Sequence, residues 1–240
     1  MPNHQVAAIL RVPRGTIGWW RSEDRRRWGE TFERPNDCPM CVGRPLDRRA
    51  YAYLLGLYLG DGHIISKPKQ HHLSITMDDS YPGLIDAAEF AMRDVMPQSS
   101  VNRRQRQGCT VVMSYTMHWV CLFPQHGPGK KHERLIALEP WQQEIVDAHP
   151  WELIRGLIHS DGCRVTNWTT RIVGGVPRRY EYPRYLFTNV SDEIRNLYCD
   201  TLDRVGIQWR VTRRGDKPYN ISVARRASVA LMDLHVGPKY

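Results

Sequence analysis

The chain has 240 residues, 41% of them hydrophobic and 25% charged, so it is long enough to bury a sizeable core and too apolar for a disordered chain. An excess of 34 Lys and Arg over 25 Asp and Glu gives a net charge of +9 and a pI of 9.4, which points to a polyanionic partner, nucleic acid ahead of an anionic membrane. No apolar run approaches the ~20 residues of a bilayer span and the N-terminus lacks the order of a secretory signal, so a cytoplasmic protein with reduced cysteines is expected.

Residues 1–22 read as two short helices around Pro13-Arg14-Gly15, with apolar residues at helical spacing on both sides. The pair resembles the last two helices of a helix-turn-helix, with Arg14, Thr16, Gly18 or Arg21 presented to DNA. An amphipathic hairpin packed on the main domain fits the same pattern. Residues 23–49 form a charged, turn-rich linker with Arg25-Arg26-Arg27, suited to lying along phosphates. Cys38-Pro39-Met40-Cys41 is a C-x2-C pair, but structural zinc needs four ligands and no second C-x2-C or paired His follows at a finger-like spacing. His4 and His63 are available and nothing in the sequence selects them, so zinc on Cys38 and Cys41 stays open.

Residues 50–240 divide into two similar halves, 50–130 and 150–240, joined by a helical linker at 131–149 that Pro140 interrupts. Leu54-Leu55-Gly56-Leu57-Tyr58-Leu59-Gly60-Asp61-Gly62 in the first half corresponds to Ile154-Arg155-Gly156-Leu157-Ile158-His159-Ser160-Asp161-Gly162 in the second. The ends correspond too, His126-Gly127-Pro128-Gly129-Lys130 with His235-Val236-Gly237-Pro238-Lys239. The second half is longer, and residues 169–183, with Gly174-Gly175 and several Arg, are the place for an extended hairpin loop. Each half predicts helix, two strands, helix, two strands, helix. Alternation marks strands at 73–77, 111–115, 184–190, 208–214 and 219–224; helical spacing marks 81–96, 118–123, 192–205 and 227–234.

Gly56 and Gly60, like Gly156 and Ser160, lie four apart on one helix face, where small residues let two backbones approach closely. Each helix ends in Asp-Gly. The glycine suits a left-handed helix terminus. The carboxylate is repelled by the helix dipole and by its counterpart. Repeating that unfavourable choice in both halves makes sense if divalent cations offset it, and oxygen ligands beside phosphates suit Mg2+ for in-line phosphodiester hydrolysis. Lys130 and Lys239, at equivalent places, supply one cation per Asp, with Lys131 able to replace Lys130. Arg103, Arg104 and Arg106 lie beside one hairpin and Arg210, Arg213 and Arg214 beside its counterpart, while Arg164, Arg171, Arg178, Arg179 and Arg184 surround the longer loop. Burial of Trp209 and Val211 would turn Gln208, Arg210, Thr212 and Arg214 outward, toward phosphates and base edges.

The two nine-residue segments resemble the signature of LAGLIDADG homing endonucleases, in the single-chain form with two motifs, and the resemblance extends over residues 50–240. It implies an α+β fold, a pseudo-twofold pair of αββαββα halves whose curved antiparallel sheets form a saddle, with the small N-terminal helical segment an addition. It implies a monomeric, site-specific double-stranded DNA endonuclease that uses Mg2+, with Mn2+ as a substitute, and cuts one strand per motif Asp. Asp61 and Asp161, with the carbonyls of Gly60 and Ser160, would bind metal; Lys130 and Lys239 would assist catalysis. Arg103, Arg104, Arg106, Arg164, Arg210, Thr212 and Arg214 would meet DNA. The sixth motif position, often acidic, is Leu59 in one half and His159 in the other. A DNA-binding transcription regulator reusing the fold and an RNA maturase are the competing readings; retention of both Asp and both Lys disfavours the regulator.

Overall fold

Helices α4 (Arg48–Leu59) and α8 (Pro150–Asp161) set the architecture. Asp47 caps α4, its carboxylate accepting from the Ala50 N–H at 2.8 Å, and Pro150 opens α8 at a position where a missing N–H costs nothing. Every residue of α4 from Tyr51 to Leu59 is buried, as expected of a helix enclosed on all sides. The computed structural model describes residues 1–27, 38–67, 70–215 and 217–240, excepting the side chains of 22–27, 67, 70, 214 and 218. The chain forms two units, Met1–Asn36 and Asp37–Tyr240.

In the first unit, α1 (Asn3–Leu10) stops at Arg11, whose φ of 52° is left-handed, and α2 (Arg14–Arg27) follows. The Arg21 guanidinium turns back to Asn3 Oδ1 (2.6 Å) and the Met1 carbonyl (2.9 Å), so this candidate DNA contact ties its own helices together. The helix runs on to residue 27, beyond the segment read as helical, and residues 28–37 of the expected linker lie outside the described residues, as do the side chains of Arg25, Arg26 and Arg27.

In the second unit each half runs αββαββα. After a single turn, α3 (Pro39–Val42), the first half contains α4, β1 (Gly62–Lys67), β2 (Gln70–Asp78), α5 (Pro82–Val95), β3 (Val101–Arg106), β4 (Cys109–Tyr115) and α6 (Trp119–Leu122). A 3-10 turn (Lys131–Glu133) and α7 (Pro140–Ala148) connect to α8. Pro140 begins α7 rather than interrupting a helix, because a proline is tolerated in the first turn. The second half continues with β5 (Gly162–Val173), β6 (Val176–Thr188), α9 (Asp192–Arg204), β7 (Arg210–Arg214), β8 (Lys217–Val223) and α10 (Arg226–His235). The sheets are antiparallel, ordered β1-β2-β4-β3 and β5-β6-β8-β7.

One face of each sheet packs on helices; Leu73, Ile75, Val112, Phe187, Ile221 and Val223 enter one continuous core with α4 and α8. The extended loop expected at 169–183 is instead regular strand. β5 and β6 pair over twelve residues from Gly162↔Phe187 to Val173↔Val176, against six for β1 and β2. Gly174 and Gly175, at φ 59° and 77°, close it as a two-residue turn that needs left-handed backbone twice. Trp168, Ile172, Val176 and Tyr180 are exposed along this ribbon, and Arg179 lies over the Trp168 ring at 5.0 Å. Among the described residues no helix is long and apolar enough to cross a membrane.

Candidate active site

Gly56 and Gly156 face each other where α4 crosses α8. A Cβ on Gly56 would lie 2.6 Å from the Leu153 carbonyl and 2.8 Å from the Gly156 Cα; one on Gly156 would lie 2.9 Å from the Gly56 Cα. One turn on, a Cβ on Gly60 would collide with Ser160 and come within 3.2 Å of Asp161 Oδ2. Small residues thus let the helices converge until Asp61 and Asp161 share one spot. Ser160 Oγ donates to the Gly156 and Leu157 carbonyls, both at 3.0 Å, and the Ser160 carbonyl lies in the last turn of α8, where no further helix N–H follows to donate to it.

That carbonyl accepts from Lys239 Nζ at 2.8 Å. On the other side Lys131 Nζ donates to the carbonyls of Tyr58 (2.6 Å), Gly60 and Gly62 (2.9 Å). Lys130 is not at the site: it is exposed, with its ammonium 3.9 Å from Glu133. Extended backbone at Lys130 (φ −81°, ψ 151°), before the 3-10 turn, points the next side chain, Lys131, inward. Each lysine grips carbonyls of its own half yet acts most strongly on the other half's carboxylate, Lys131 on Asp161 and Lys239 on Asp61.

Asp61 is open to solvent on one side and densely surrounded on the other. Desolvation first, and then the Asp161 charge, raise its pKa against the pull of Lys239 and Lys131. Desolvation also raises Asp161, although Asn189 Nδ2 donates to its Oδ2 at 2.6 Å. The Asn189 amide is oriented by the Ser191 N–H, which donates to its Oδ1 at 2.8 Å. Burial draws Lys131 down to about 8 and lowers Lys239 as well. Asn189 is the site residue that sequence reasoning passed over; Lys131, named there as able to replace Lys130, is the lysine that reaches the site.

A raised carboxyl binds its proton more tightly folded than unfolded, so it costs stability above its folded pKa, and the cost fades as pH falls toward the ordinary value. Asp61→Asn is therefore expected to melt slightly higher than wild type in EDTA at neutral pH, by about 1–2 °C once screening by the solvent on its open side is allowed for. The gap should close on acidification. Melting curves across pH test this, and a variant melting lower at neutral pH would contradict it.

Strand register sorts the basic residues between faces. Arg103 shares a face with Val101 and Val112 and pairs with Asp86 (2.6 Å) and Glu89 (2.5 Å) on α5, so it belongs to the helix side. Arg164 likewise aligns with buried Tyr185 and grips Asp233 on α10 at 2.6 and 2.9 Å. Both were expected at the open surface; acidic helix residues draw them inward. Arg104 and Arg106 occupy the opposite, open face in rows with Thr76 and Asp78. Arg210 and Thr212 do so in rows with Ser222 and Asn220. Val211, expected to be buried, is 48% exposed on the helix side near the sheet edge. The Arg214 side chain lies outside the described residues. Arg184 joins the open face, stacked over Tyr182 at 5.3 Å.

Cys38 and Cys41 find partners in His118 and Cys121, all four ligand atoms lying within 4.8 Å of one another. His4 and His63, which nothing in the sequence selected, are not in this group.

Among solved structures the chain is similar to the homing endonuclease I-DmoI in complex with DNA and Mn, at TM-score 0.52 and 11% identity over 80% of this chain and 98% of that one. The same endonuclease with DNA and Ca aligns at TM-score 0.52 and 12% identity over 79% and 89%. Its mesophilic variants align at 0.51 and 11% over 79% and 96%. The fold is of the LAGLIDADG type. No protein-family model matches the chain, and no curated protein does.

Proposed function

We propose that this chain is a metal-dependent, site-specific endonuclease that cuts both strands of double-stranded DNA as a monomer. The observation that supports it best is the convergence of two partly desolvated carboxylates, flanked by two lysine ammonium groups, at the end of a close-packed helix pair. A lone binder gains nothing from carboxylates facing phosphate.

Asp61, Asp161 and the carbonyls of Gly60 and Ser160 are an all-oxygen donor set that fits Mg2+, with Mn2+ as a substitute. Bound there, the metal supplies Lewis-acid polarisation of the scissile phosphate and a more acidic water. Lys131 and Lys239 hold positive charge where negative charge develops on the phosphorus oxygens. Burial draws the Lys131 pKa down to about 8, yet its three carbonyl acceptors need all three N–H bonds and so favour the charged form at neutral pH. Arg104, Arg106, Arg184, Arg210 and Thr212, on the open faces, supply phosphate and base-edge contacts.

A homing role adds that the coding sequence interrupts its own target, so the rejoined flanking DNA is the first substrate to try. A plasmid carrying it should be linearised in Mg2+ and left intact in EDTA. Sequence-specific binding without cleavage in Mg2+ or Mn2+ would instead favour a regulator, a reading that the paired helices α1 and α2 favour. Lys131→Met should slow cleavage about 100-fold. Lys130→Met should leave it near wild type; equal losses in single-turnover assays would reject the assignment to Lys131.

A further inference from the structure

We propose that Cys38, Cys41, His118 and Cys121 form a structural zinc site, a Cys3His knuckle in addition to the carboxylate centre. Three of the six distances between their ligand atoms match the edges of a zinc tetrahedron, and the Cys38 sulfur lies within 4.8 Å of the other three ligand atoms. Cys41 Sγ lies 3.8 Å from Cys121 Sγ and 3.4 Å from His118 Nδ1, and Cys121 Sγ lies 3.8 Å from the same nitrogen. Zinc with Zn–S of ~2.3 Å and Zn–N of ~2.0–2.1 Å would separate two sulfurs by about 3.8 Å and a sulfur from a nitrogen by about 3.6 Å.

Local structure explains the convergence. Cys38 precedes the single turn α3 and His118 the single turn α6; neither side chain caps its own helix. In each turn the first and fourth residues come to one side, giving Cys38 with Cys41 and His118 with Cys121. The two turns pack on each other. None of the six cysteines is in a disulfide, so no S–S bond accounts for the cluster. Three sulfurs and an imidazole form a soft set that selects zinc over the hard cation suited to Asp61 and Asp161.

The site has a mechanical consequence. Cys38 is fully buried in the core, and Trp119 and Leu122 of α6 are buried in the same core. Zinc would fasten the segment leading into α4 to the end of the first half, closing a long loop of chain through four bonds. Because the ligands converge only in the folded state, the binding free energy adds to folding stability.

The test uses the full untagged chain, purified under reducing conditions. Metal analysis should find close to one zinc per chain surviving dialysis against Mg2+, and released by a thiol-modifying reagent. Exchange for Co2+ should give thiolate charge-transfer and tetrahedral ligand-field bands. The double variant Asp61→Asn/Asp161→Asn should keep zinc and those bands, whereas Cys121→Ser should lower zinc content at least about five-fold. If Cys121→Ser does not fold, reagent-driven release from the wild type reads the same point. Folded, metal-free protein that takes up Co2+ without thiolate bands overturns the proposal, as does zinc lost from the Asp variant but kept by Cys121→Ser. Cleavage plays no part in these readouts, so an inactive chain that holds zinc refutes the nuclease reading alone.

Discussion

Asp61→Asn and Asp161→Asn are each expected to lose double-strand cleavage, with the rate on at least one strand falling about 1,000-fold or more. Asparagine keeps the shape of the side chain and one of its oxygens but removes the charge that would hold a cation. The two carboxylates are close enough for the Asp161 charge to raise Asp61. Nicked circles are therefore the most that either variant should produce, and the double variant should leave supercoiled plasmid untouched. Binding should persist or tighten, since a negative charge facing phosphate has been removed. Gel analysis of supercoiled, nicked and linear plasmid reads the outcome alongside mobility shifts. Linear product at the wild-type rate from either single variant would remove both aspartates from the mechanism.

Gly56→Ala and Gly156→Ala should each destabilise the protein by about 3 kcal/mol, at the upper end of what overpacking usually costs. The atoms a new methyl would meet are backbone: Leu153 O, Gly156 Cα and Leu157 N for the first, and Tyr53 O, Gly56 Cα and Leu57 N for the second. Backbone cannot rotate aside, so the helices must separate. The same alanine at Gly15, with nothing within 4 Å, should be neutral or stabilising by up to ~1 kcal/mol, as for any exposed helix glycine. Separation would also move Asp61 from Asp161, so cleavage should fall even where folding survives. Urea unfolding measures the first effect; a loss below 1 kcal/mol at both glycines would mean that the helices do not pack at backbone distance.

The duplicated motif was legible because its chemistry is local. Small residues four apart share one helix face and the Asp-Gly stands at or just past the helix end, places that residue number alone assigns. Alternation likewise marked β2, β4, β6, β7 and β8, while their order within each sheet depends on pairings distant in sequence. The N-terminal pair was legible as helices, but Arg21, one of four residues offered as a DNA contact, donates to Asn3 and to the Met1 carbonyl.

What failed depended on partners distant in sequence. In the strand at 101–106 a single apolar residue, Val101, carries the phase, and Arg103 follows it to the helix side only because Asp86 and Glu89 wait on α5. Arg164 is drawn inward by Asp233 in the same way. The segment at 169–183 has enough turn and charged residues to read as loop; pairing with its own continuation makes it strand.

From its residues alone the chain determines that two similar helices exist, that each ends in an aspartate, and that the surface around them is basic. Composition and short-range spacing suffice for these, since they concern one turn of helix or one strand at a time. Only the tertiary structure decides that the inward lysine is Lys131, that each lysine acts chiefly on the other half's aspartate, and that His118 and Cys121 complete the pair at Cys38 and Cys41. Side-chain direction after a turn, and meetings between residues far apart in the chain, depend on where whole helices and strands come to rest, which spacing along one segment does not encode.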